Sequence, residues 1–276
     1  STNNLLDLDA AICSLREFGY GESGSTPARH FAAVVVKHTN PCGVATGDEL
    51  SEAFNKALDG DRISAFGGIV ALNKIVDSCT AENLASLFIE CVVAPGFSSE
   101  ARAILSKKKN LRLLELPPEA IDLASSSHVR SILGGALVQE LDNGAPNTHS
   151  WRVVTEKIPT KYQQEDMDFA WRVIRHVHSN AILVAKNMQT FGIGAGQMNR
   201  VGAAKLALEA AGENAKDSVL ASDGFFPFDD TVRLAAKYGV NAIIQPGGSI
   251  KDEDSINACN EFGITMVLTG MRHFLH

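Results

Sequence analysis

The chain repeats itself once, and that repeat limits the folds open to it. VVVKHTNPCGVATG (34–47) is echoed by AILVAKNMQTFGIGAGQ (181–197), and RISAFGGIVAL (62–72) has a counterpart in VLASDGFFPF (219–228). ECVVAPGFSSEARAILSKKKNLRLLEL (90–116) matches NAIIQPGGSIKDEDSINACNEFGITMVL (241–268) element for element. Lys37 and Lys186 lie 149 positions apart, Pro95 and Pro246 151 apart. Two copies are too few for a solenoid. They predict two packed, pseudo-symmetric subdomains, 1–164 with a connecting segment and 165–276, with a ligand cleft at their seam.

Within each copy helical and strand patterns alternate, which predicts an α/β fold with a mainly parallel or mixed sheet. Residues 5–18 read as a helix through Leu5, Leu8, Ile12 and Leu15. GYGESGSTPAR (19–29) reads as a solvated loop. HFAAVVVK is apolar almost throughout, the pattern of a strand buried on both faces. Helices are expected at 49–58 and near 80–89 and 98–107, strands at GGIVALN, ECVVAP and LRLLEL. Between the copies, GGALVQE suggests a short strand and DNGAPN (142–147) a loop. The first residues enter a helical pattern at once, so an upstream portion is expected.

Composition narrows the chemistry. Hydrophobic residues make up 45% and charged residues 21% of the 276, ordinary globular values. The net charge of −7 provides no global field for nucleic acid or anionic lipid, although a local basic pocket for an anionic metabolite remains open. Five scattered cysteines without a CxxC argue for a reducing compartment, against a disulfide framework and against structural zinc. No apolar run reaches membrane-spanning length.

Several stretches could carry chemistry. Lys37 beside His38 would depress the imidazole pKa and keep it able to accept a proton, with the ammonium stabilising a developing oxyanion. A snorkelling Lys beside a surface His is the plainer alternative. Asn180 could orient an amide or formyl group, or simply cap an element. FGIGAGQMNR (191–200) could cradle a phosphate at a helix start with Arg200 adding charge, or be a tight turn; it lacks a full G-x-G-x-x-G. SDGFFPFDD (222–230) could wall a flat heterocycle, and Arg272, His273 and His276 could clamp an anion. Zinc-dependent deamination is excluded, since His38 begins no H-x-E and PCGV has no second Cys.

KHTNPCGVA, SAFGGIVALN, SNAILVAKN, GIGAGQMNR, ASDGFFPFDD, IQPGGSI and MRHFLH together resemble the AICAR transformylase domain, found beside an IMP cyclohydrolase domain in bifunctional purine biosynthesis proteins. The resemblance runs from about residue 1 to 276, in the expected order. It implies a duplicated cytidine-deaminase-like three-layer α/β/α fold with mixed sheets and no zinc site. The implied reaction moves a formyl group from the co-substrate 10-formyltetrahydrofolate to the 5-amino group of AICAR, giving FAICAR in IMP biosynthesis. Lys37, His38 and Asn180 become catalytic: His38 helps remove the amine proton, Lys37 stabilises developing charge, and Asn180 orients the formyl group and carboxamide. Asn40, Gly196, Gln197, Arg200, Phe225, Pro227, Asp230, Arg272 and His276 become substrate-binding. Ser179 and Asp223 match positions near a structural potassium ion in some members, with no metal implied in catalysis. The family's partners are AICAR and folate, with active sites shared across a homodimer and no nucleic acid or membrane. Its setting is the cytosol, with a plastid or other organelle left open. The family's arginine–tyrosine nucleotide motif would lie upstream of residue 1, and Thr2 and Asp229 replace a usual Tyr and Arg. A non-catalytic nucleotide-binding fragment is therefore the alternative.

Overall fold

The computed structural model describes residues 1–123, 127–142 and 144–276. Asn143, within the expected DNGAPN loop, lies outside the described residues. The first part of the chain runs α1 (Thr2–Leu15), β1 (Phe31–Lys37), β2 (Asn40–Gly47), α2 (Leu50–Asp59), β3 (Gly68–Leu72), α3 (Ser78–Ala85), β4 (Ile89–Ala94), α4 (Ser99–Leu105) and β5 (Arg112–Glu115). A connecting stretch holds α5 (Pro118–Asp122), β6 (Ser127–Ile132), β7 (Gly135–Glu140) and β8 (Arg152–Val153). The rest runs α6 (Lys161–Ile174), β9 (Ile182–Lys186), β10 (Gln189–Gly194), α7 (Arg200–Ala211), β11 (Val219–Ser222), α8 (Asp230–Lys237), β12 (Ala242–Gln245), α9 (Asp252–Phe262) and β13 (Thr265–Leu268).

Eleven strands form one mixed sheet in the order β5-β4-β3-β1-β2-β10-β9-β11-β12-β13-β8. Outward from the β2–β10 junction, each direction meets a hairpin, an antiparallel neighbour and then two parallel strands. The two sequence copies thus join edge to edge at β2–β10 in one continuous sheet. Helices cover both faces. Ala32, Val34 and Val36 of β1 face a core shared with α1 and α6, while Ala33 and Val35 face the core under α2, α3 and α4. In β9, Leu183 and Ala185 join that shared core, and Ile182 and Val184 point to the core under α7, α8 and α9. Strands buried on both faces need no polar side, which explains their continuous apolar sequence.

PCGVATG is part of strand β2, paired with β1 across a bulge at Val35/Val36. The 19–29 loop is not wholly solvated: Tyr20 is buried, its hydroxyl donating to the Leu116 carbonyl (3.0 Å). Buried Asn73 ties that loop to β1, accepting from Ala32 N (2.7 Å) and donating to the carbonyls of Gly19 and His30. GGALVQE pairs with 127–132 as a two-stranded hairpin, exposed along its length and separate from the main sheet. No helix among the described residues is long and apolar enough to cross a membrane.

Glycines at equivalent strand positions let helices approach the sheet. A Cβ at Gly43 would sit 1.8 Å from the Ala57 carbonyl oxygen of α2, and one at Gly192, 149 positions on, 1.9 Å from that of Ala207 in α7. Backbone oxygens cannot swing aside as a side chain can, so Gly43→Ala and Gly192→Ala must each push a helix outward. Each is expected to destabilise by about 3 kcal/mol or more, read as a loss of several degrees in Tm by calorimetry. An unchanged Tm in either would show that the helix contact is not tight.

Candidate active site

The site begins at the β1–β2 turn. Lys37 ends β1 and Asn40 begins β2, so His38 and Thr39 alone reverse the chain, at φ 51° and 61°. Two central residues with positive φ match the twist of a two-residue hairpin, a role that Asn-Gly usually fills. For L-residues with side chains the left-handed region costs about 1–2 kcal/mol each, so surrounding bonds must hold the turn. Asp7 of α1 accepts from Thr39 N at 2.7 Å. The Asn40 side chain donates to the His38 carbonyl (3.2 Å) and accepts from His178 N (3.0 Å). Thr39 Oγ1 lies 3.1 Å from His178 Nε2.

The turn gives Lys37 and His38 different surroundings. Lys37 Nζ donates to the carbonyls of Phe66 and Gly67, both at 3.0 Å, seating the ammonium on the SAFGG turn. The His38 imidazole is exposed and makes no hydrogen bond among the described residues, so both ring nitrogens are open to a ligand. Burial depresses the His178 pKa, with His276 and Arg130 adding to the effect, which keeps that neighbouring ring neutral. Behind the turn, burial pushes the Cys42 thiol up to about 12.

Through His178 the turn connects to the start of β9. Gly196 N donates to the His178 carbonyl (2.8 Å). Asn180 Nδ2 donates to the Gln197 carbonyl (2.8 Å), and its Oδ1 accepts from Arg200 Nη2 (2.8 Å), so both ends of this amide are engaged. Arg200 is buried and paired with fully buried Asp223, and also donates to the Ala181 carbonyl (3.2 Å). The other Asp223 oxygen accepts from Ser179 Oγ, which itself accepts from Leu275 N (3.1 Å). The C-terminal stretch is thereby fastened to the β9 entrance. Asp223 has both oxygens taken and a guanidinium against it, so the Ser179–Asp223 pair as arranged does not fit a potassium ion. No group of three or more His, Cys, Asp or Glu able to hold a metal is found among the described residues.

The remaining candidates divide by burial. Phe225 is 38% exposed and Phe228 60%, and Pro227 between them is also exposed, while Phe226 is fully buried in the core under α7–α9. Asp230 opens α8 and accepts from Thr231 N (2.7 Å), and Asp229 pairs with Arg233 (2.7 Å). Arg272 is exposed, its guanidinium 5.2 Å from the Phe274 ring centroid, a cation–π distance. His276 is exposed and its carbonyl accepts from Arg130 (3.1 Å), but His273 is buried against Trp171 and paired with Asp142. Of the expected cationic cluster, Arg272 and His276 alone face outward. A cavity of about 500 Å³ between α1 and α6 borders the turn through Thr39 and His178; Lys37, His38, Asn180 and Arg200 do not line it.

The second turn lies apart from the first. Asn187 and Met188, both at φ 52°, reverse the chain between β9 and β10 as His38 and Thr39 do between β1 and β2. The two turns do not face one cleft. β2 and β10 run antiparallel, Gln189 opposite Ala45, so equivalent turns fall at opposite ends of the sheet. Lys186 donates to the Lys216 carbonyl (3.0 Å), away from His38. The glycines of FGIGAG also serve another purpose, since Gly192 and Gly194 admit α7 and Asn199 caps that helix by accepting from Gly202 N (2.7 Å). Asp7 and His178 escaped the sequence reading; an aspartate in the first helix of each copy was the available signal for Asp7.

A sequence model described as the AICARFT/IMPCHase bienzyme matches residues 1–210. Proteins named bifunctional purine biosynthesis protein PurH, from Synechococcus sp. (strain CC9311) and Synechococcus sp. (strain WH7803), are 66% and 64% identical over all 276 residues. Those residues cover 52% of each, so the chain spans about half the length of the curated relatives it matches. A solved structure of Acinetobacter baumannii RibD aligns over 39% of this chain and 34% of its own at 17% identity and a TM-score of 0.27, too slight a likeness to argue from.

Removing one member of the buried Arg200–Asp223 pair strands the other charge. Asp223→Asn is expected to cost about 3–5 kcal/mol, and adding Arg200→Met should recover part of the lost Tm; full additivity would show that the two do not interact. Thiol reactivity tests the packing behind the turn. Cys79 is exposed, whereas burial holds Cys13 near 11 and Cys42 and Cys259 near 12, and also raises Cys91. Titration with a disulfide reagent at pH 8 should show one fast thiol, lost in Cys79→Ser. A second fast thiol that disappears in Cys42→Ser would mean that the strand behind His38 opens.

Proposed function

The chain belongs to the AICARFT/IMPCHase bienzyme family, and from that premise we propose that it transfers a formyl group from 10-formyltetrahydrofolate to the 5-amino group of AICAR, giving FAICAR in purine biosynthesis. The observation that carries this reading is the β1–β2 turn, where an exposed imidazole with no hydrogen bond among the described residues follows directly on a lysine whose ammonium is held by two carbonyls. A bond forms between the amine nitrogen and the formyl carbon, and the bond from that carbon to folate N10 breaks. His38 takes the amine proton, and a proton is delivered to N10 with the assistance of Lys37 as tetrahydrofolate leaves. Lys37 stabilises charge on the formyl oxygen in the tetrahedral intermediate. Asn180 orients the formyl group once the ligand displaces part of its present bonding to Gln197 and Arg200.

Around this centre, Asn40, Gly196, Gln197, Asp230 and His276 are proposed as substrate contacts, with Phe225 and Pro227 as the flat wall. Exposed Arg272 suits an anionic group directly. Buried Arg200 would act mainly by holding Asn180. We further propose the duplicated cytidine-deaminase-like reading for subdomains 1–164 and 165–276, supported by the matched strand order either side of β2–β10. A cytosolic homodimer that completes each site is part of the same proposal, supported by the family likeness.

With AICAR and 10-formyltetrahydrofolate, His38→Ala is expected to lose roughly 10²–10⁴-fold in kcat, the usual worth of a positioned general base, with the fold intact by circular dichroism. Equal rates in wild type and variant would remove His38 from the mechanism. AICAR binding by wild type at background turnover would favour a binding module instead.

A further inference from the structure

We propose that Asp7 is a positioning residue for the reaction, fixing the backbone that carries His38; this rests on the function proposed above. Its carboxylate reaches across from α1 to accept the Thr39 N–H at 2.7 Å, in a turn whose two residues both adopt positive φ. α1 is a firm platform, because Ala11, Ser14 and Leu15 bury its inner face and Ala11 and Leu15 pack into the core shared with β1. The other half of the sheet carries the same device. There Asp166 of α6 accepts from Asn187 N (2.9 Å) and Met188 N (2.7 Å), one amide on each oxygen. Asp7 Oδ1 holds a single amide, and Oδ2 has no hydrogen-bond partner among the described residues. The turn bearing His38 is therefore held by one helix-to-turn bond where its counterpart has two, and loss of that bond leaves Asn40 and the Thr39–His178 contact to restrain it.

The two aspartates provide an internal control. Both deletions remove a helix-to-turn bond, but Asp7 alone supports the turn assigned to catalysis. Asp7→Ala is expected to lower kcat about 10–100-fold while KM for AICAR stays within about threefold, the pattern for a misaimed catalytic group. Asp7→Asn retains an oxygen that can accept the Thr39 N–H and should stay within about threefold of wild type in kcat. Asp166→Ala should lower Tm without a comparable loss of kcat. Should Asp7→Ala fail to fold, Asp7→Glu, which lengthens the reach by one methylene, should fold and lose kcat.

A second readout is independent of turnover: the His38 ring resonances of the unliganded protein should shift and broaden in Asp7→Ala and stay in place in Asp166→Ala. Unmoved His38 resonances, or equal kcat losses in Asp7→Ala and Asp166→Ala, would overturn the proposal. If wild type transfers no formyl group, the activity reading fails, and the resonance comparison still decides whether Asp7 fixes His38.

Discussion

The junction of β2 with β10 is the constraint on which the remainder depends. Backbone pairing there is short, with Gln189 opposite Ala45 and Thr46 N donating to the Met188 carbonyl (3.1 Å). Buried Thr190 stands in for the missing ladder, its hydroxyl accepting from Val44 N (2.9 Å) and donating to the Val44 carbonyl (3.3 Å). Gln189 adds a bond to the Lys56 carbonyl (2.9 Å), linking the seam to α2. Each central strand also carries a bulge, at Val35/Val36 and at Thr190/Gly192, where regular pairing gives way. A side-chain hydroxyl that satisfies both backbone groups lets the sheet continue across this irregular point, since a buried unpaired amide or carbonyl would be costly.

From that junction follow the placement of helices and the placement of the turns. α2 and α7 lie almost directly on β2 and β10, which only glycine at positions 43 and 192 permits. Both hairpins close through two residues in left-handed conformation, and each is clasped by an aspartate from a helix on the face opposite α2 and α7. Strain of this kind persists only where surrounding bonds over-determine it. In the first turn it points His38 outward, with Lys37 retained on backbone carbonyls. In the second it presents Asn187 and Met188, and no imidazole.

Much of the fold was legible because its signals are local. Continuous apolar runs at β1 and β9 mark strands buried on both faces, and the helix expected near 98–107 begins at Ser98, whose side chain accepts from Ala101 N. β2 was not legible: Pro, Cys and Gly looked like a break, yet Pro41 sits at the bulge and Gly43 under a helix. His38 and Thr39 gave no turn signal of their own, because nothing in a His-Thr pair favours positive φ; tertiary bonds impose it. His273 likewise looked like part of an exposed basic tail until Trp171 and Asp142 enclosed it.

The sequence by itself determined the repeated α/β programme, most of its strands and the short list of side chains able to do chemistry, since periodicity and spacing are written along the chain, while the ordered motifs carried the family resemblance. Tertiary structure alone decided which of them meet. Asp7 with Thr39, Asn40 with His178 and Ser179 with Asp223 are separated by 32, 138 and 44 positions, and chain spacing carries no information about such distances. It also decided direction: the repeat predicts two equivalent turns, and the antiparallel β2–β10 junction sends them to opposite ends of the sheet. One of those ends therefore carries the lysine, the histidine and the asparagine together, because strand polarity at a single junction brings β9 to the β1–β2 turn.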